Sequence, residues 1–140
     1  DCAGGTPSAL ALAAAAAALR APADWGKSLG QQLTQKRDFV IRRLQQVQGA
    51  KVVAPPLRCE GFFLLADLSA CLGGKSTDAF CKELLEKYGV AVLPGKAFEA
   101  PCAVRINVAR PMEDLESAMT AFNTCLAACS SGDAGYAASK

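Results

Sequence analysis

The sequence predicts an α+β fold, a small sheet of about four mostly antiparallel strands with helices packed on it, preceded by an alanine-rich helix. Three observations carry that expectation. Apolar residues recur at helical spacing in several long segments, whereas short runs rich in valine, isoleucine and phenylalanine stand between them. The resulting order is helix, helix, strand, strand, helix, strand, strand, helix, a small sheet layered with helices.

The first helix is expected to start at Thr6-Pro7, a capping hydroxyl followed by proline at the first helical position. It would run through the alanines and stop near Ala21, because Pro22 disfavours helix in the residue before it. Its alanine surface lets another backbone approach closely and suits packing against a further domain. The second helix should span Asp24 to about Val47, with Leu29, Leu33, Val40, Leu44 and Val47 on one face and Lys36, Arg37, Asp38, Arg42 and Arg43 on a solvated remainder. Gly49 is suited to end it.

Lys51–Ala54 is a short strand candidate closed by Pro55-Pro56. Gly61–Leu68 is a stronger one, and the consecutive Phe62, Phe63, Leu64 and Leu65 suggest a central strand covered on both faces. A loop at Leu72-Gly73-Gly74 leads to a helix capped by Ser76, with Phe80, Leu84 and Tyr88 facing one way and Gly89 at its end. Val90–Leu93 and Val104–Val108 are the next strands. Pro111 then starts a last helix with Glu113 and Asp114 in its first turn and Leu115, Met119, Phe122 and Leu126 inside. From Ser130 onward there is little to bury, so residues 130–140 are expected to form a frayed tail.

Composition removes several functional classes. The chain of 140 residues amounts to one domain, and its formal net charge of +2 and few aromatics give no basis for a nucleic-acid or membrane-surface partner. With no histidine, Ser-His-Asp and Cys-His nucleophile systems and nearly all catalytic zinc sites are excluded. Seven cysteines without CxxC spacing read as reduced, mostly buried packing residues of an intracellular protein, and no metal site is expected. Cys125 and Cys129 share a helix face, and packing is again the plainer reading. The run Ser8–Leu19 lacks the basic start of a signal peptide and is shorter than the ~20 apolar residues that span a bilayer. A cytoplasmic location is expected. The opening Asp1, in place of methionine, suggests a piece of a longer protein.

One residue concentrates the functional question. Arg105 stands among strand formers in Ala103–Ala109, and a cation inside an apolar strand must be paired or used, because burying it alone costs several kcal/mol. Glu60, Asp67 or Glu99 could pair with it inside the fold. Alternatively it serves a ligand.

The succession Pro56…Gly61-Phe62-Phe63-Leu64, Leu84-Leu85…Gly89-Val90-Ala91-Val92-Leu93-Pro94-Gly95…Phe98 and Val104-Arg105-Ile106-Asn107-Val108-Ala109 resembles the carboxy-terminal small domain of class I/II aminotransferases. These are fold-type I enzymes dependent on pyridoxal 5′-phosphate. Thr6-Pro7-Ser8 and Lys36-Arg37-Asp38 fit the helices that join the large domain to the small one. The resemblance implies residues 1–22 as a helix from the end of the large domain or a connector, 23–129 as the small domain, and 130–140 as a tail. It implies that Arg105 binds the α-carboxylate of an amino-acid substrate, with Pro94, Gly95 and Phe98 supporting the edge of the site.

The family often has glycine after that phenylalanine, where this chain has Glu99. The Schiff-base lysine, the pyridine-nitrogen partner and the phosphate-binding residues belong to the family's large domain. Catalytic and cofactor-binding residues are therefore expected outside this fragment, which should be inactive alone, and Lys96 does not match the family's lysine. The partners implied are an amino acid, a 2-oxo acid, the protein's own large domain and a second copy in a homodimer. Carbon–sulfur lyases, synthases and racemases share the small domain and stand as alternatives, as does a non-catalytic interaction module.

Overall fold

Strand Ala103–Asn107 alternates Val104 and Ile106 with Arg105 and Asn107, so its two faces differ in kind, and the fold follows that division. The computed structural model describes residues 7–22, 24–53 and 61–130. The order is α1 (Ala9–Arg20), α2 (Asp24–Gln45), β1 (Lys51–Val52), β2 (Phe63–Asp67), α3 (Thr77–Tyr88), β3 (Leu93–Pro94), a 3-10 turn at Gly95–Phe98, β4 (Ala103–Asn107) and α4 (Met112–Ser130). The sheet has four strands in the order β1-β2-β4-β3, every pair antiparallel. Register places Leu64 opposite Ile106 and Ala66 opposite Val104 on one face, and Phe63 opposite Asn107 and Leu65 opposite Arg105 on the other.

Only the first of these faces is covered. Leu64, Ala66, Val104, Ile106 and Val108 are buried beneath α2, α3 and α4, with Val40 and Leu44 from α2, Phe80 and Leu84 from α3, and Leu115, Met119, Phe122 and Leu126 from α4. Phe80 meets Phe122 edge to face, centroids 5.2 Å apart at 83°. On the second face Phe63 stays 42% exposed, as is its neighbour Phe62 at 46%. The apolar run therefore marks a central strand, but not one covered on both sides. Tyr88 likewise turns outward, away from Phe80 and Leu84.

The helix ends follow local chemistry. Ser8, not Thr6-Pro7, caps α1: its hydroxyl accepts from Ala11 N at 3.2 Å, and Thr6 lies outside the described residues. α1 stops at Arg20 as Pro22 demands. None of its residues is buried, and Leu29 in the first half of α2 is also exposed. The apolar stripe of α2 is buried only where α4 and the sheet lie beneath it. That helix ends at Gln45, before Gly49. Ser76 caps α3 and Gly89, in the left-handed region at φ 68°, closes it. Val90 N–H is drawn into that closure, bonding Leu84 O at 3.4 Å, so the expected strand at 90–93 shrinks to Leu93–Pro94. Helix α4 includes Ser130, whose hydroxyl donates to Cys71 O at 3.1 Å; residues 131–140 and Ala54–Glu60, with the Pro55-Pro56 break, lie outside the described residues. No described helix is long and apolar enough to cross a membrane.

Two polar links tie the helices together. Arg43, expected on a solvated face, instead donates to Thr120 Oγ1 at 2.9 Å, while Asn123 donates to Arg43 O at 3.1 Å, joining α2 to α4. Glu83 of α3 accepts from Lys75, and from Lys87 at 2.6 Å. The bonds from Lys75 and then Lys87 hold its carboxyl below the ordinary range.

Two outcomes are expected. Phe122→Ala should lower unfolding free energy by about 3–5 kcal/mol, read as the denaturant midpoint at unchanged slope. The contribution of Glu83 is present above its unfolded pKa of about 4.3 and is lost as pH falls through its lower folded value. Glu83→Gln should therefore be less stable than the parent at neutral pH, and the gap should close on acidification below that value in urea melts; a gap independent of pH would contradict the assignment.

Candidate functional site

Arg105 sits at the centre of the open face, opposite Leu65 of β2 and Leu93 of β3. It is half-buried. Its guanidinium carbon lies 4.2 Å from the centroid of the Phe63 ring and 4.3 Å from that of Phe98. Contacts of this kind contribute about 0.5–2 kcal/mol each, more as the cation is desolvated. In both the guanidinium carbon lies over the ring. Among the described residues no carboxylate lies within ion-pair distance of Arg105.

The three internal candidates divide clearly. The Asp67 carboxylate accepts from Ser69 N at 2.8 Å, a local turn bond. Glu99 is on the surface and makes no ion pair with Arg105 among the described residues. Glu60 lies outside the described residues. The in-plane N–H donors of Arg105 thus have no described protein acceptor, while the aromatic contacts hold the flat group in place. A planar fork of donors held this way matches a carboxylate.

The loop before β4 explains how Phe98 gets there. Pro94, opposite Val104, ends β3 and precedes the 3-10 turn. Gly95 is buried, and a Cβ on it would lie 2.2 Å from Ala100 O and 2.5 Å from Ala103 O, so only glycine allows the loop to close this tightly. The closure is fixed by Ala100 N–H on Gly95 O at 3.0 Å and Ala103 N–H on Ala100 O at 2.9 Å. Glu99 ends the turn at φ 58°, ψ 21°, the left-handed region. A glutamate there carries a local strain of about 1–2 kcal/mol.

The structure therefore brings Phe98 to Arg105 directly and leaves Pro94 and Gly95 shaping the turn behind it. Phe63 is a site residue that sequence reading missed. Its signal was the two-residue period of β2, which says that Phe63 and Leu65 share a face, but only the register with β4 shows that Arg105 is on it. Lys96 is exposed on the same turn. A cleft of about 550 Å³ opens elsewhere, on the helix side, between Val90, Ile106, Leu115 and Phe122, with the Arg110–Asp114 pair (2.9 Å) at its wall. Arg105 does not line it.

Comparison with known proteins agrees with this architecture. The family described as "Aminotransferase class I and II" matches residues 3–122. An aspartate aminotransferase of Rhizobium meliloti (strain 1021) is 34% identical over 124 residues, covering 81% of this chain and 29% of that protein. One from Geobacillus stearothermophilus is 32% identical over 117 residues, with 81% and 29% covered. The crystal structure of the aspartate aminotransferase from Rhizobium meliloti superposes with a TM-score of 0.74 at 27% identity, covering 89% of this chain and 32% of that one. The chain thus spans less than a third of the length of these relatives. With a match over most of its length and the same α+β fold, this chain belongs to the class I and II aminotransferase family.

Proposed function

We propose that this chain is the carboxy-terminal small domain of a pyridoxal-phosphate-dependent aminotransferase that moves an amino group from an amino acid to a 2-oxo acid. Arg105 receives the substrate's α-carboxylate. The observation that carries this reading is the half-buried guanidinium held against Phe63 and Phe98 with no described carboxylate of the fold on its donors. A charge-assisted pair formed there contributes about 1.5–3 kcal/mol. It also fixes the orientation of the bound amino acid, which can matter more to the rate than the binding itself. The relatives named aspartate aminotransferases support the amino-acid substrate class.

The cofactor is placed outside this chain in this reading. Lys75 and Lys87 are engaged with Glu83, Lys82 lies 3.8 Å from Glu86, Lys27 lies 3.6 Å from Asp24, and Lys96 is exposed. The cofactor, which supplies the electron sink when bound, is accordingly assigned to residues of a large domain outside this chain. In that arrangement 1–22 is the connector, 23–129 the small domain, and the enzyme is a cytoplasmic homodimer. The lack of any buried residue in α1 supports a connector that packs against something other than this domain.

The test uses the full-length protein. Arg105→Ala should lower kcat/KM for amino acids by roughly 10–150-fold, the equivalent of 1.5–3 kcal/mol, and leave an amine lacking the carboxylate nearly unaffected. Arg105→Lys should recover only part of the loss, because an ammonium offers neither the planar fork nor the stacking. Equal losses for both substrates would sink the assignment. Conversion of an added 2-oxo acid separates a transaminase from a lyase, synthase or racemase built on the same domain.

A further inference from the structure

A second set of chemically capable groups gathers on the covered side of the sheet, where α3 packs on α4. Cys125 and Cys129 stand about one turn apart on α4, and Glu83 faces them from α3. One ligand atom from each of the three residues can be chosen so that all lie within 4.8 Å of one another. Cys125 is 1% exposed, whereas Cys129 and Glu83 are half-buried, so the cluster has a desolvated floor and an opening to solvent. The Lys75 ammonium sits in that opening. It bonds the Glu83 carboxylate, whose other oxygen accepts from Lys87 at 2.6 Å. The cluster thus already holds a cation, supplied by the protein itself.

Two sulfurs and a carboxylate converging from two helices form a donor set suited to a soft metal. Thiolate sulfur favours ions of the zinc type over magnesium or calcium, which take oxygen ligands. A tetrahedral ion with metal–sulfur bonds of ~2.3 Å sets its sulfurs about 3.8 Å apart, so closing from separations within 4.8 Å takes side-chain movements of no more than about 1 Å. Three protein ligands would leave the fourth position to water. We propose that Glu83, Cys125 and Cys129 form a binding site for a soft divalent cation of the zinc and cadmium kind, with Lys75 as a built-in competitor that the ion displaces from the carboxylate. The site is independent of Arg105 and of the reaction assigned to it. Burial, followed by the nearby Glu83 charge, pushes the Cys125 thiol up to about 11.

Cadmium alone is the probe, titrated into the reduced protein and followed by thiolate-to-cadmium charge-transfer absorption in competition with a chelator. One tight equivalent is expected. The double variant C125A/C129A should lose it, with affinity reduced at least about 100-fold, and E83Q should bind about 10-fold more weakly. K75M should bind about 10-fold more tightly, since it removes one of the two ammoniums on Glu83, the Lys87 one remaining, and leaves all three ligands. Alanine keeps the small apolar volume of cysteine, and circular dichroism checks that each variant is folded. The proposal is overturned if the wild-type protein shows no tight equivalent. It is equally overturned if the double variant retains one, which would place the ion on the remaining cysteines, or if K75M binds no better than the parent.

Discussion

The antiparallel pairing of β2 with β4 is the constraint on which the rest of the structure depends, because it fixes which side chains share each face of a four-stranded sheet. A shift of one residue would exchange the faces. Val104 and Ile106 would then face the open side and Arg105 would enter the core beneath α3 and α4. Burying an unpaired guanidinium there costs several kcal/mol, and the valine and isoleucine burial would be lost as well. The hydrophobic side of the sheet and the cation on its other side therefore select the same register. That agreement places Phe63 within reach of Arg105, with Leu65 and Leu93 on either side.

Covering one face only has a further consequence. The helices supply a conventional core, with Phe80 and Phe122 at its centre. Around Arg105 the open face is apolar, with Phe63, Phe98 and Leu93 all partly exposed. A face of this kind is suited to being covered, and exclusion of water there would strengthen any ion pair that the guanidinium makes. α1 and the first half of α2 show the same incompleteness, with Leu10, Leu12, Leu19 and Leu29 exposed. These exposed faces belong to a chain that spans 29% of the length of the aminotransferases it matches.

The loop between β3 and β4 positions one side of the site, and its backbone explains residues that chemistry alone does not. Gly95 is needed because two carbonyl oxygens pass where a side chain would begin, and Glu99 occupies a left-handed position where glycine is easier. Across the sheet, Lys75, Glu83, Cys125 and Cys129 concentrate charge and sulfur between two helices. Periodicity on α4 alone showed two cysteines on one helix face. The carboxylate and the ammonium arrive from α3 and the loop before it, so their meeting is a product of helix packing.

What the sequence determined by itself is what short-range physics controls. Helix limits at Pro22, Ser76 and Gly89 follow from backbone chemistry, the inner face of α4 follows from its 3.6-residue period, and the isolated Arg105 announces itself by its apolar neighbours. Tertiary structure alone decided that the Phe62–Leu65 run is bare on one side, that Val90–Val92 pack without strand pairing, that Arg43 bridges α2 to α4, and that Phe63 and Phe98 hold the guanidinium. These depend on which elements meet across long stretches of chain. A residue's period says which neighbours share its face, but the partner that face meets is set only when the sheet register and the helix packing close together.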